Sequence, residues 1–106
     1  MLLIATSSSR DLRPIHVYTI ELDRITSRKT LHAELARVFS FPDYYGRNWD
    51  AFDECIDDLV LPASVKVLGY DGFRFRLPRE AKLLAECLRA MAKRCPPGHF
   101  KVDGLP

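Results

Sequence analysis

Hydrophobic and polar positions alternate along this chain with two different periods. In "HVYTIELDRI", residues 16–25, Tyr18, Ile20 and Leu22 face one way and Val17, Thr19 and Glu21 the other, the two-residue period of a strand. "TSRKTLHAELARVFS" follows, with Leu31, Leu35, Val38 and Phe39 at helical spacing and Thr26 or Ser27 placed to cap the first turn. Phe41-Pro42 ends that helix. "YYGRN" reads as a turn in which Gly46 is free to take positive φ, and Asn48 can cap a second helix starting at Trp49 and bounded by Pro62.

Beyond Pro62, "SVKVLGYDGF" places Val65, Val67 and Leu68 in a short apolar strand interrupted by glycines. "LPREAKLLAECLRAMAKRCPPG" is a helix with Pro78 near its first position and Leu84, Cys87, Leu88 and Met91 on one face. Basic residues fill its last turn, and Pro-Pro-Gly stops it. "HFKV" supplies a last short strand. The pattern predicts an α/β fold: a small three-stranded parallel β-sheet packed by about three to four helices, with right-handed crossovers. Val17–Leu22, Val65–Leu68 and Phe100–Val102 should be neighbouring parallel strands.

Length supports a single domain over 1–106, since 106 residues bury roughly two-thirds of the unfolded surface around one core. Residues 1–15 stand apart as an N-terminal extension, in which "LLIAT" is an extra edge strand or a loosely held arm. With 47% apolar and 28% charged residues the composition is that of a globular protein, not a disordered tail. The opening "MLLIATSSSRDLRP" lacks a basic n-region and a full apolar core, so a cytoplasmic, non-membrane location is expected. Three cysteines, Cys55, Cys87 and Cys95, without CxxC spacing argue against a disulfide framework or zinc knot. Cys55 and Cys87 are expected to be buried reduced thiols.

Charge changes the picture most. The net +2 conceals a segment, Asp43–Asp58, in which six carboxylates face only Arg47; the remainder carries +7. On a helical wheel of residues 49–59, Phe52, Cys55, Ile56 and Leu59 share one arc with Trp49 at its edge, while Asp50, Asp53, Glu54, Asp57 and Asp58 share the opposite one. The apolar arc explains the helix; the acids need another reason. Asp50–Glu54 and Asp53–Asp57 are like-charge pairs four apart, each unfavourable by roughly 0.2–0.5 kcal/mol. Acids near a helix C-terminus oppose the dipole as well. Rules broken together in one place mark a candidate site.

A hard-cation site would use Asp50 and Glu54, but no matching motif supplies the remaining ligands, and no cofactor is implied. No catalytic motif is present, so an enzyme is not expected. His16, His32 and His99 lie in three elements without ligand spacing and are read as surface or structural. Arg74, Arg76 and Arg79 leave nucleic-acid binding as an alternative, though three arginines at a loop and helix start more often form a solvated patch. A protein partner with a cationic cleft suits a rigid row of carboxylates best; an interaction module for some other basic partner is a second alternative.

The stretch "FPDYYGRNWDAFDECIDDL" resembles the barstar family, small bacterial inhibitors of secreted barnase-type ribonucleases, also met as antitoxin or immunity proteins. The pattern P-x-Y-Y-G-x-N-x-D-A-x-x-x-C from Pro42 to Cys55 carries the resemblance, which extends less closely over about residues 17–102. It implies a three-stranded parallel sheet and a partner, an extracellular barnase-type ribonuclease or related basic toxin, whose active site is plugged by the second helix and the loop before it. By motif position Tyr44 and Gly46 fall in the binding loop with Asn48, and Asp50 and Glu54 are the central acidic contacts, flanked by Asp53 and Asp57. Glu54 stands where the family has aspartate, Asp53 and Leu59 where its best-known member has tryptophans, and Ala90 near a further acidic contact.

Overall fold

The computed structural model describes residues 15–106; the expectation for "LLIAT" lies outside the described residues. Three strands form one sheet, β1 (His16–Glu21), β2 (Ala63–Leu68) and β3 (Phe100–Asp103), in the order β1-β2-β3 and parallel throughout. In register, Tyr18 lies beside Val65 and Val65 beside Val102. Four helices complete the fold: α1 (Arg28–Phe39), α2 (Trp49–Ile56), α3 (Tyr70–Arg76) and α4 (Pro78–Arg94). The expected parallel trio is therefore present, with each strand shifted or extended by one or two residues.

Side-chain alternation on β2 shows where the core lies. Ala63, Val65 and Val67 are buried; Lys66 and Leu68 on the other face are exposed. Beneath the helices, Ile20, Leu22, Leu31, Leu35, Phe52, Ile56, Phe73, Leu84 and Leu88 form one contiguous cluster. Ser27 caps α1 through a reciprocal box with Thr30, its side chain accepting the Thr30 amide at 3.2 Å.

α3 is the element the apolar pattern did not separate from its surroundings. Its sequence, YDGFRFR, holds Gly72 and Asp71, both poor helix formers. Tertiary burial of Tyr70 and Phe73, three residues apart, holds it, and Gly69 at φ 78° turns the chain out of β2 into it. Arg76 on this helix points inward. Its Nε donates to the Ile25 carbonyl at 3.0 Å and its guanidinium also reaches the Leu22 carbonyl, so it ties the β1–α1 connection to α3.

Candidate functional site

The candidate site is built on α2 and the loop before it. Asn48 caps the helix: its Oδ1 accepts the Ala51 amide at 2.8 Å, and its Nδ2 donates to the Gly46 carbonyl at 3.3 Å. Positive φ falls on Arg47 (55°) and not on Gly46, contrary to the expectation for the turn. Glycine at 46 leaves room for the cap: a Cβ there would sit 3.1 Å from Asn48 Nδ2, which would have to shift by a few tenths of an ångström.

Below the loop lies a polar-aromatic support. His32 of α1 is fully buried, and its Nδ1 shares a hydrogen bond of 2.6 Å with the hydroxyl of Tyr45. Its ring meets that of Trp49 edge-on at 4.8 Å. Trp49 Nε1 donates to Glu80 Oε1 of α4 at 3.0 Å, and Arg28 Nε stands 3.9 Å from the same oxygen. Phe41 and Phe52 pack around Tyr45 and Trp49. Loop and helix are thus clamped from inside by α1 and α4, while Tyr44, at 84% exposure, stands out at the loop tip.

His32 is structural, as expected, but only half satisfied: Nε2 is the one buried side-chain polar atom without a partner among the described residues. Burial lowers its pKa from the usual 6.5; Arg28 and then Arg47 push the same way, opposed by Glu80. The sign follows. In the unfolded chain the imidazole takes up a proton near its ordinary value, whereas the folded protein resists it. Stability contributed by the neutral ring is present above about pH 6.5 and is lost as pH falls below it. Denaturation midpoints of wild type and His32→Gln compared between pH 7.5 and 5.5 should show the steeper decline in wild type. Equal slopes would exclude His32 as the titrating group.

The acidic residues do not behave as one row. The helix ends at Ile56, earlier than the wheel of residues 49–59 assumes; Asp57 is its C-cap and Asp58 lies in the turn beyond. Arg94, in the last turn of α4, reaches across to them, its guanidinium 2.7 Å from Asp57 Oδ1 and 3.7 Å from Asp53 Oδ1. That contact answers the expected helix-end repulsion: no cation lies within α2, but one arrives from a helix 37 residues away in sequence. Asp50 and Glu54 are exposed and, among the described residues, take part in no ion pair. Asp50, Asp53, Glu54 and Asp57 together line one shallow open depression, so the four carboxylates named from the sequence do share a face. Of the other sequence-named residues, Asn48 serves as the cap and Tyr44 as the exposed loop tip, while Ala90 is half-buried one turn before Arg94.

Cys55 and Cys87 are free and half-buried, not fully buried as expected. Burial raises both thiols, Cys87 to about 11, which keeps them protonated and unreactive at neutral pH. The arginine patch is dispersed: Arg76 is committed to backbone carbonyls, Arg74 stands 3.6 Å from Asp71 and over the Tyr70 ring, and Arg79 belongs to α4. Among the described residues there is no cluster of His, Cys, Asp and Glu able to hold a metal, and no helix long and apolar enough to cross a membrane. Sequence reasoning did not single out Tyr45, Glu80 or Arg94. Terminal position was the only signal for Arg94, and nothing local pointed it at α2.

Fold and site define a small α/β protein that presents paired carboxylates from a short helix braced on its inner side. The family described as Barstar (barnase inhibitor) matches residues 15–103, most of the chain, and the protein belongs to that family. No curated protein sequence matches it. The family is one of barnase inhibitors, and the site on this chain presents carboxylate acceptors.

Proposed function

We propose that this chain inhibits a barnase-type ribonuclease by seating the loop at Tyr44, Gly46 and Asn48, and the acidic face of α2, in the enzyme's cationic active site. The observation that carries the reading is the exposure of Asp50 and Glu54, one helical turn apart and without an ion-pair partner among the described residues, on a helix braced by the Trp49–Glu80 and Tyr45–His32 contacts. A ribonuclease site gathers cations to hold phosphates, and carboxylates offered from one face satisfy those cations without providing a bond to cleave. Asp50 and Glu54 make the primary contacts; Asp53 and Asp57 join once Arg94 yields them or shares them. The chain acts by occupancy, needs no cofactor, and serves as a cytoplasmic antitoxin or immunity protein in a bacterium whose ribonuclease is otherwise secreted.

Purified chain mixed with a barnase-type ribonuclease should abolish RNA cleavage stoichiometrically, while alone it neither cleaves RNA nor binds it at physiological salt. Steering by the acidic segment adds a kinetic signature: association should slow markedly as ionic strength rises, and dissociation change less. A salt-insensitive association rate would move the interface to an apolar surface. RNA binding that disappears with Arg74 and Arg79 replaced would support the nucleic-acid alternative instead.

A further inference from the structure

Three cations stand beside the acidic face, and the inhibitory reading does not use them. Arg28 and Lys29 open α1, Arg47 sits in the loop between Gly46 and Asn48, and together these three line a single depression of about 320 Å³. No acid lines it. That volume is at the lower end of small-ligand clefts, and its walls are mostly the aliphatic stems of these residues, which suits one side chain. Arg28, Lys29 and Arg47 are all exposed. Only Glu80 offsets them, and it is half-hidden, already accepts from Trp49 Nε1, and lies 3.9 Å from Arg28. Lys29 and Arg47 have no acidic partner within ion-pair distance among the described residues.

Arg28 stands 3.9 Å from the Glu80 oxygen that accepts from Trp49 Nε1 at the start of α2, so these cations lie beside the first turn of that helix. Arg47 is one residue from the cap Asn48 and three from Asp50, so a target covering α2 and its loop also meets these cations. Against a uniformly cationic surface they would be repelled at the centre of the contact, and like charges juxtaposed there cost several kcal/mol. We propose that Arg28, Lys29 and Arg47 form an anion-accepting subsite for a carboxylate side chain on the rim of the target's cationic cleft. The inhibitor's face is then zoned in charge and reads a target of the complementary pattern. The occupant is a protein carboxylate and not a nucleic-acid backbone, because the segment that holds Arg47 carries six carboxylates, which repel a polyanion. The proposal rests on the inhibitory reading above and adds the partner's second feature.

Stopped-flow association and dissociation of the chain with a barnase-type ribonuclease, for wild type and for Arg28→Gln/Lys29→Gln/Arg47→Gln, separate the outcomes. All three side chains are exposed, and matching thermal midpoints confirm that the variant folds. Removing cations facing a basic enzyme relieves long-range repulsion, so association should hold or rise. Loss of the subsite should speed dissociation by ten-fold or more, and one acidic-to-amide substitution on the enzyme's cleft rim should abolish that difference. Dissociation that is unchanged or slower in the variant, with wild type still inhibiting, overturns the subsite and leaves the inhibitory reading standing. No binding by wild type overturns both. RNA bound by free wild type and released by the triple substitution overturns the protein-carboxylate assignment.

Discussion

Replacing Glu54 by Gln should weaken the complex with a barnase-type ribonuclease by roughly 2–5 kcal/mol, about 30-fold to several thousand-fold in Kd, and leave the free protein's stability nearly unchanged. Barnase–barstar is itself among the measured cases behind that range, so the magnitude is the family's and not an independent result. The direction comes from the structure. Glu54 is exposed on α2, follows Asp50 by one turn, and has no ion-pair partner among the described residues, so nothing in the fold depends on its charge. Losing a like charge four residues from Asp50 should change stability by no more than a few tenths of a kcal/mol, toward stabilisation. In the complex the carboxylate would be desolvated against a cation, and removing it leaves that cation buried and unpaired. Isothermal titration of both proteins and a pair of urea midpoints check both halves. A loss of fold stability above about 1 kcal/mol with affinity intact would make Glu54 structural.

Phe52→Ala should have the opposite signature: a loss of roughly 3–5 kcal/mol in unfolding free energy. Phe52 is fully buried and meets Phe39, Phe41 and Trp49 at ring-centroid distances of 6.1, 5.7 and 5.5 Å, so truncation removes an aromatic from the junction of α1, the loop and α2. An eight-residue helix has no stability of its own in water and depends on that packing. Urea unfolding should show the lower midpoint with a similar slope. At temperatures where the variant stays folded, its affinity for the enzyme should fall too, since a loosened α2 must be ordered again on binding. A loss under about 1 kcal/mol would place the anchor of α2 elsewhere.

How much of this could be read in the chain depended on how local the deciding interaction was. Ser27 and Asn48 were legible as caps because a cap is satisfied within three residues. The parallel sheet was legible because each pair of strands is separated by helical sequence, which forces a crossover. α3 was not, since Asp71 and Gly72 argue against a helix that only the burial of Tyr70 and Phe73 sustains. The carboxylates of α2 could be placed on one face from spacing alone, but their inequality could not. Asp53 and Asp57 differ from Asp50 and Glu54 only because α2 and α4 pack so that Arg94 reaches the first pair. The same holds for Arg76, which reads as part of a basic patch until the turn of α3 directs it to the carbonyls of Leu22 and Ile25. His32 could be read only as surface or structural, because its bond to Tyr45 closes a contact between helix and loop that no periodicity encodes.

The most direct test of the account is a titration of a barnase-type ribonuclease, at fixed concentration, with the purified chain, following RNA cleavage in parallel for wild type and the Asp50→Asn/Glu54→Gln variant. The account predicts that activity falls linearly to zero near one equivalent of wild type and that the doubly neutralised protein, folded to the same thermal midpoint, needs a large excess to do the same. Equal inhibition by both proteins would contradict it, because the carboxylates of α2 would then not be what fills the enzyme's site.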